Sequence, residues 1–177
     1  MANYSQNRFN EFIQQSNEAS TSTEKGKVLE DFISYVFNKV PGITVSKRNQ
    51  MNASLTEEID IAFWNEQKPN GFPFLHHILL VECKNWSNTV GTDQVSYFIQ
   101  KVQNRGLPYG ILIAANGITG SSIEVNRAHQ QISLALSRGH SILVITLDEI
   151  KELMTTQDLI QLIKEKLCEL AVSGTIF

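Results

Sequence analysis

Residues 76–86 read HHILLVECKNW, an apolar run that closes on a carboxylate and an ammonium two positions apart. The run is short, rich in Ile, Leu and Val, and passes directly into Asn85, Ser87 and Asn88, which predicts a buried strand entering a polar loop. Side chains alternate along a strand, so Ile78, Leu80, Glu82 and Lys84 fall on one face and Leu79, Val81 and Cys83 on the other. Both faces are otherwise apolar, as in a sheet covered on both sides. Charges placed there require partners or a metal ion. An isolated Glu-x-Lys is most often an exposed ion pair, so the flanking sequence decides its meaning.

Upstream, residues 43–48 (ITVSKR) and 55–64 (LTEEIDIAFW) alternate and carry β-branched residues, which predicts two strands with a turn over 49–54. In the second, Ile59, Ile61 and Phe63 share a face with Glu57, and Glu58, Asp60, Ala62 and Trp64 share the other. An Asp between isoleucines is disfavoured in a strand, a local inconsistency of the kind that marks function. The loop over 65–73 (NEQKPNGFP) returns the chain, so an antiparallel hairpin is expected to set Asp60 beside Glu82.

Further upstream, Thr21-x-x-Glu24 forms a capping box for a helix whose buried face is Val28, Leu29, Phe32, Ile33, Val36 and Phe37 and which ends before Pro41-Gly42. Glu30 lies at the edge of that face, one turn after Gly26. A helix-interior glycine costs about 1 kcal/mol against alanine, so Gly26 points to close approach of a backbone or ligand. A shorter amphipathic helix is expected over 4–16. Downstream come a helix over 92–104 with Val95, Phe98, Ile99 and Val102 inward, a strand over 109–115, a helix over 123–138, a strand over 141–147 and a helix over 156–170. This order predicts an α/β sheet with a mixed centre. The chain divides into an N-terminal helical extension (1–20), a core (21–148) and a C-terminal helix (149–177) that covers the core or forms a dimer seam.

The 177 residues carry a net charge of -3 and 42% hydrophobic residues, the composition of one globular domain. The acidic balance confines any nucleic-acid surface to a local patch. No apolar run reaches membrane-spanning length and no signal peptide is evident, so a cytoplasmic protein without a membrane partner is expected. Cys83 and Cys168 make neither a disulfide framework nor a metal spacing and are expected in the core. His76 and His77 point to opposite faces, and His129 and His140 lack partners at ligand spacing.

Glu30, Asp60 and Glu82-x-Lys84 thus occur in the order helix, strand, adjacent strand. With GKVLEDF on the first helix, EIDIAFW and VECKNW on the strands, and the later GILIAANGIT, residues 24–147 resemble the PD-(D/E)XK nuclease superfamily and, within it, the Mrr-type restriction endonuclease-like catalytic domain. The resemblance implies a restriction endonuclease-like α/β core, a central mixed sheet flanked by helices, and a metal-dependent DNA endonuclease. It implies that Asp60 and Glu82, with the Cys83 carbonyl, hold Mg²⁺, with Mn²⁺ able to substitute, since hard cations take oxygen ligands. Glu30 would complete the ligand set. Lys84 would orient or deprotonate the attacking water and offset charge on the phosphate. The proline that nominally precedes the aspartate is replaced by Ile59.

Around that centre, Gln94 is expected to face the site, Lys25, Lys27, Lys47 and Arg48 to form a phosphate-contacting rim, and Trp86 to serve as a lid or a base-stacking platform. No separate DNA-reading module is recognisable, so specificity is expected from DNA structure or from a specificity or activating protein partner, in a prokaryotic defence or DNA-processing role. Two alternatives stand beside this reading. One is a non-catalytic nucleic-acid-binding or scaffolding module on the same fold. The other is a junction-resolving homodimer, for which the apolar residues of 147–170 would supply the seam.

Overall fold

The central strand of the sheet is the one built from ILLVECK, and its neighbours on either side are also its neighbours in sequence. A computed structural model of the chain describes residues 2–84, 88–119 and 127–175. In chain order the elements are α1 (Gln6–Glu18), α2 (Ser22–Asn38), β1 (Ile43–Met51), β2 (Glu58–Asn65), β3 (Ile78–Lys84), α3 (Thr92–Asn104), β4 (Tyr109–Ala114), α4 (Arg127–Ser137), β5 (Ser141–Ile145), α5 (Leu147–Lys151) and α6 (Thr156–Ser173). The sheet order is β1-β2-β3-β4-β5. The β1–β2 and β2–β3 junctions are antiparallel and the β3–β4 and β4–β5 junctions parallel. This is the mixed sheet flanked by helices that the order of elements predicts. Among the described residues no helix is long and apolar enough to cross a membrane.

Pairing of Ile61 with Val81 and of Phe63 with Leu79 puts these four side chains on one face. There α2 covers them, and Phe37 of α2 stacks on Phe63 with ring centroids 5.1 Å apart. Asp60, Glu82 and Lys84 alternate onto the opposite face, where α3 packs. Gly110, beside Leu80 in the β3–β4 register, sets how closely α3 approaches: a Cβ there would lie 2.5 Å from Val102 and 3.0 Å from the Phe98 ring. Gly110→Ala is therefore expected to cost about 1–3 kcal/mol by overpacking, or about 5 °C in melting temperature for a chain of this size, read by a thermal melt. Ahead of β3, the fully buried Asn65 side chain donates to the carbonyls of Phe72 and His76 and braces the loop. A Cβ on Gly71 would lie 2.2 Å from the Pro41 carbonyl oxygen, so only glycine fits there.

Several sequence expectations are corrected. β1 continues through Asn49 and Gln50 to Met51, because pairing with Glu58 and Ile59 outweighs the turn-like composition. β2 begins at Glu58, which leaves Glu57 in the preceding turn; it bonds to Asn104 at 2.6 Å and to Arg105 at 2.5 Å rather than sharing a face with Ile59. α1 starts at Gln6, capped by Ser5, and reaches Glu18. β5 ends at Ile145, since Thr146 and Glu149 form a capping box that starts the short helix α5. α6 continues past Leu170 to Ser173 and ends on Gly174 in the left-handed conformation. The first turn expected for α4 lies outside the described residues. Cys168 is exposed, on the outer face of α6, which turns Leu159, Ile160, Ile163 and Leu170 into the core. Ile78, at the start of β3, is 38% exposed. A Cβ on Gly26 would meet nothing within 4 Å, so no backbone approaches there.

Candidate active site at the end of the β2–β3 ladder

The β2–β3 ladder ends at Ile61 paired with Val81. The Asn65 N–H donates to the His77 carbonyl, so residues 77, 79, 81 and 83 point their backbone groups toward β2, as alternation along a strand requires. The Cys83 N–H is taken by Asp60 Oδ2 at 2.7 Å. The Cys83 carbonyl lies on the same edge. Asp60 thus ties its carboxylate to β3 where the strands stop pairing, and the same register carries Asp60 and Glu82 to facing positions.

Asp60, Glu82, Lys84 and Gln94 line one open cavity of about 670 Å³, together with Met51, Thr56, Glu58, Asp93, Tyr97 and Lys101. β2 and β3 make its floor, α3 one wall, and the turn between β1 and β2 its mouth. That turn is fastened to α3: the Tyr97 hydroxyl donates to the Thr56 carbonyl at 3.0 Å, and Arg105 and Asn104 hold Glu57, with Arg105 keeping the Glu57 carboxyl below its usual range.

Glu82 is 2% exposed. Lys84 Nζ lies 2.9 Å from Oε1, and Lys101 Nζ lies 2.8 Å from both oxygens. Lys101 is itself 3% exposed and stands over the Tyr97 ring, 4.9 Å from its centroid. Lys84 and Lys101 offset the Asp60 charge only in part. Burial, and next the Glu82 charge, push its carboxyl up to about 6. Burial opposes the Lys84 charge, yet Glu82 and then Asp60 hold its pKa above the ordinary lysine value, so Lys84 is an ammonium at neutral pH. Burial, followed by Asp60, Glu30 and Glu82, pushes the Cys83 thiol well up; its side chain turns to the α2 side and is inert.

The other expected residues are placed apart. Arg48 Nη2 lies 3.1 Å from Glu30 and Asn49 Nδ2 donates to the same carboxylate at 3.2 Å, while Arg48 Nη1 bonds to Asp31 at 2.5 Å. Arg48 pairs across from Ile61, which sets this cluster on the α2 side of the sheet. Glu30 is thus ion-paired with Arg48, neither residue lines the cavity, and Arg48 also bonds to Asp31. Among the described residues no group of three or more His, Cys, Asp or Glu side chains converges to hold an ion. Lys27 and Lys47 are exposed. Lys25 lines a second open cavity of about 570 Å³ with Asn88, Asn116 and Lys151. Trp86 lies outside the described residues. His77 bonds through Nδ1 to the Asn65 carbonyl oxygen and stacks on Trp64; His129 is buried against Thr175.

Lys101 joins the site without any motif in the sequence to mark it. Its signal is positional: it falls seven residues after Gln94 and four after Tyr97, on one helical stripe, within a helix whose other inward residues are apolar.

No curated protein matches the chain. The family model described as restriction endonuclease, for Mrr-type catalytic domains, matches residues 22–154, from the first residue of α2 to just past α5. That span contains the whole sheet, the split after Ile61 and Val81, and every residue lining the larger cavity. By that match, over most of its length and across all five strands, the chain belongs to the restriction endonuclease family of Mrr-type catalytic domains.

Proposed function

We propose that the protein is a Mg²⁺-dependent endonuclease that hydrolyses DNA phosphodiester bonds in the cavity between β2, β3 and α3, with Asp60, Glu82 and Lys84 as its working groups. The observation that carries this reading is the place of Asp60: its carboxylate is bonded to the Cys83 N–H where the strands part, opposite Glu82 and in one open cavity with Lys84, and burial and the Glu82 charge push its carboxyl up to about 6. The donor set fits magnesium. Two carboxylates and the Cys83 carbonyl on the open strand edge are hard oxygen donors, too few to enclose an ion, and Mg²⁺ characteristically takes one or two carboxylates and leaves its other positions to water and phosphate. When bound, the ion polarises the scissile phosphate and makes neighbouring water more acidic.

The chain's own groups supply the rest. Lys84, already protonated, donates to the phosphate and offsets charge as the fifth oxygen adds; its raised pKa favours this role over proton abstraction. Glu82 holds Lys84 in place. Gln94 and Tyr97 shape the wall that excludes bulk water from one side. Glu30, fixed on the α2 side by Arg48 and Asn49, serves the fold of that strand end. Specificity is supplied by DNA structure or by a protein partner, in keeping with a defence or DNA-processing role.

One observation favours a second reading. Glu82 is compensated by two lysines without any ion, which suits a non-catalytic DNA-binding module equally well. Incubation with supercoiled plasmid and single-stranded DNA, in Mg²⁺, Mn²⁺ and chelator, separates the two. Cleavage that needs metal and is lost in Asp60→Ala is the expected result. Neither cleavage nor Asp60-dependent metal binding would leave the binding module.

A further inference from the structure

We propose that Lys101 is a positioning residue that fixes the Glu82 carboxylate and stands in for a second cation, so that the cavity admits a single divalent ion. This rests on the metal-dependent reading above. Three observations converge on it. Lys101 and Glu82 are nearly sealed from solvent, with side chains 4% and 3% exposed, and both Glu82 oxygens lie 2.8 Å from one ammonium. An ammonium in that position must be balanced by a carboxylate, and Glu82 is the one it meets. Second, the ammonium is held from behind by the Tyr97 ring, itself anchored to the turn at Thr56, and the Lys101 carbonyl accepts from Arg105, which pairs with Glu57. The lysine is thus a fixed charge on a braced wall. Third, the remaining candidate ligand is engaged elsewhere: Glu30 is bound by Arg48 and Asn49. Four carboxylates, Glu58, Asp60, Glu82 and Asp93, line the cavity against two ammoniums, Lys84 and Lys101, a balance of two negative charges that one divalent ion neutralises.

A fixed positive charge a few ångströms from the ion opposes its binding while holding its ligand in place. Removing the charge should therefore tighten metal binding and slow cleavage together, a combination that a merely structural lysine would not give. The test is titration of Mn²⁺ alone into the intact protein, followed by calorimetry and electron paramagnetic resonance, beside a plasmid-nicking assay. Wild type is expected to bind one Mn²⁺, lost in Asp60→Ala. Lys101→Met is expected to bind it at least about tenfold more tightly and to cut at least about tenfold more slowly. Lys101→Gln, which keeps a donor to Glu82 without the charge, serves if the methionine variant does not fold, and is expected to tighten likewise. Lys101→Arg keeps the charge and should stay within about threefold of wild type in Mn²⁺ affinity. Two ions on wild type, or unchanged or weaker affinity in the Met or Gln variant, overturns the assignment. Absence of any Asp60-dependent Mn²⁺ binding in wild type instead removes the metal-dependent reading, and this assignment with it.

Discussion

Lys84→Ala is expected to slow DNA cleavage by about 10³-fold while the protein stays folded. The large kinetic effect follows from where the ammonium sits: at the last residue of β3, on the cavity side, kept protonated by Glu82 and Asp60. A preorganised cation at a phosphate whose charge grows in the transition state cannot be replaced by water. The small structural effect follows from Lys101. When Lys84 is truncated, Glu82 keeps two ammonium bonds from α3 and is not left as an uncompensated buried charge. Arginine is not a neutral replacement, since a planar fork presents its donors differently from a point charge. Single-turnover nicking measured beside a thermal melt checks both halves. A rate loss below about tenfold would move the phosphate role to another group, and a melting temperature lowered by more than a few degrees would make Lys84 structural.

Asp60→Asn and Glu82→Gln are expected to move stability in opposite directions in chelator at pH 7.5. Asp60 has its pKa raised from 3.8 to about 6, so its deprotonated form is disfavoured by folding. An acid shifted this way favours the folded state fully below pH 3.8, loses that contribution as pH rises from 3.8 to about 6, and has none left above. Ionised Asp60 therefore costs on the order of 3 kcal/mol at neutral pH. Asparagine removes the charge and keeps an oxygen for the Cys83 N–H, so the variant should melt about 5–10 °C higher and lose the fall in stability between pH 4 and 6. Mg²⁺ should stabilise wild type and not the variant. Glu82→Gln does the reverse. It leaves Lys101 buried against a neutral amide, and breaking a buried pair from one side costs about 3–5 kcal/mol. Denaturant unfolding of the three proteins across pH 4–8 reads both effects. Equal changes of one sign in the two variants would refute the division of charge between them.

Much of this geometry is legible in the sequence because a strand's period is short and its faces are unambiguous. ILLVECK and EIDIAF fix which side chains share a face, and an antiparallel return between them leaves few registers. The match of α3 to its expected bounds follows from a clear apolar stripe bounded by Gly91 and Gly106. What the sequence obscures are competitions settled by tertiary contact. Glu30 stands at the right place on α2, but nothing in the sequence shows that Arg48 and Asn49, three and two positions before the end of β1, will pair with it. Lys101 lies between Ile99 and Val102 and resembles a lysine at the edge of an apolar face; only the approach that Gly110 permits carries it onto Glu82. The capping box at Thr146 and Glu149 was present in the letters, and an apolar, β-branched run leading into it hid the helix behind a strand.

Strand order gives the chain a direction of assembly. Every hydrogen-bonded neighbour in the sheet is the next strand in sequence, joined directly at the two antiparallel junctions and by a helix-bearing crossover at the two parallel ones, so structure can accrete onto the β1–β2 hairpin as synthesis proceeds. In that order β3 is laid down with Glu82 and Lys84 before α3 has been made, and the glutamate gains its second ammonium only when the helix docks over Gly110. The ends meet last. Asn3 bridges Thr155, the Tyr4 N–H bonds to the Met154 carbonyl and the Thr156 N–H to that of Ala2, so the first residues synthesised wait for nearly the whole chain before they find their partners.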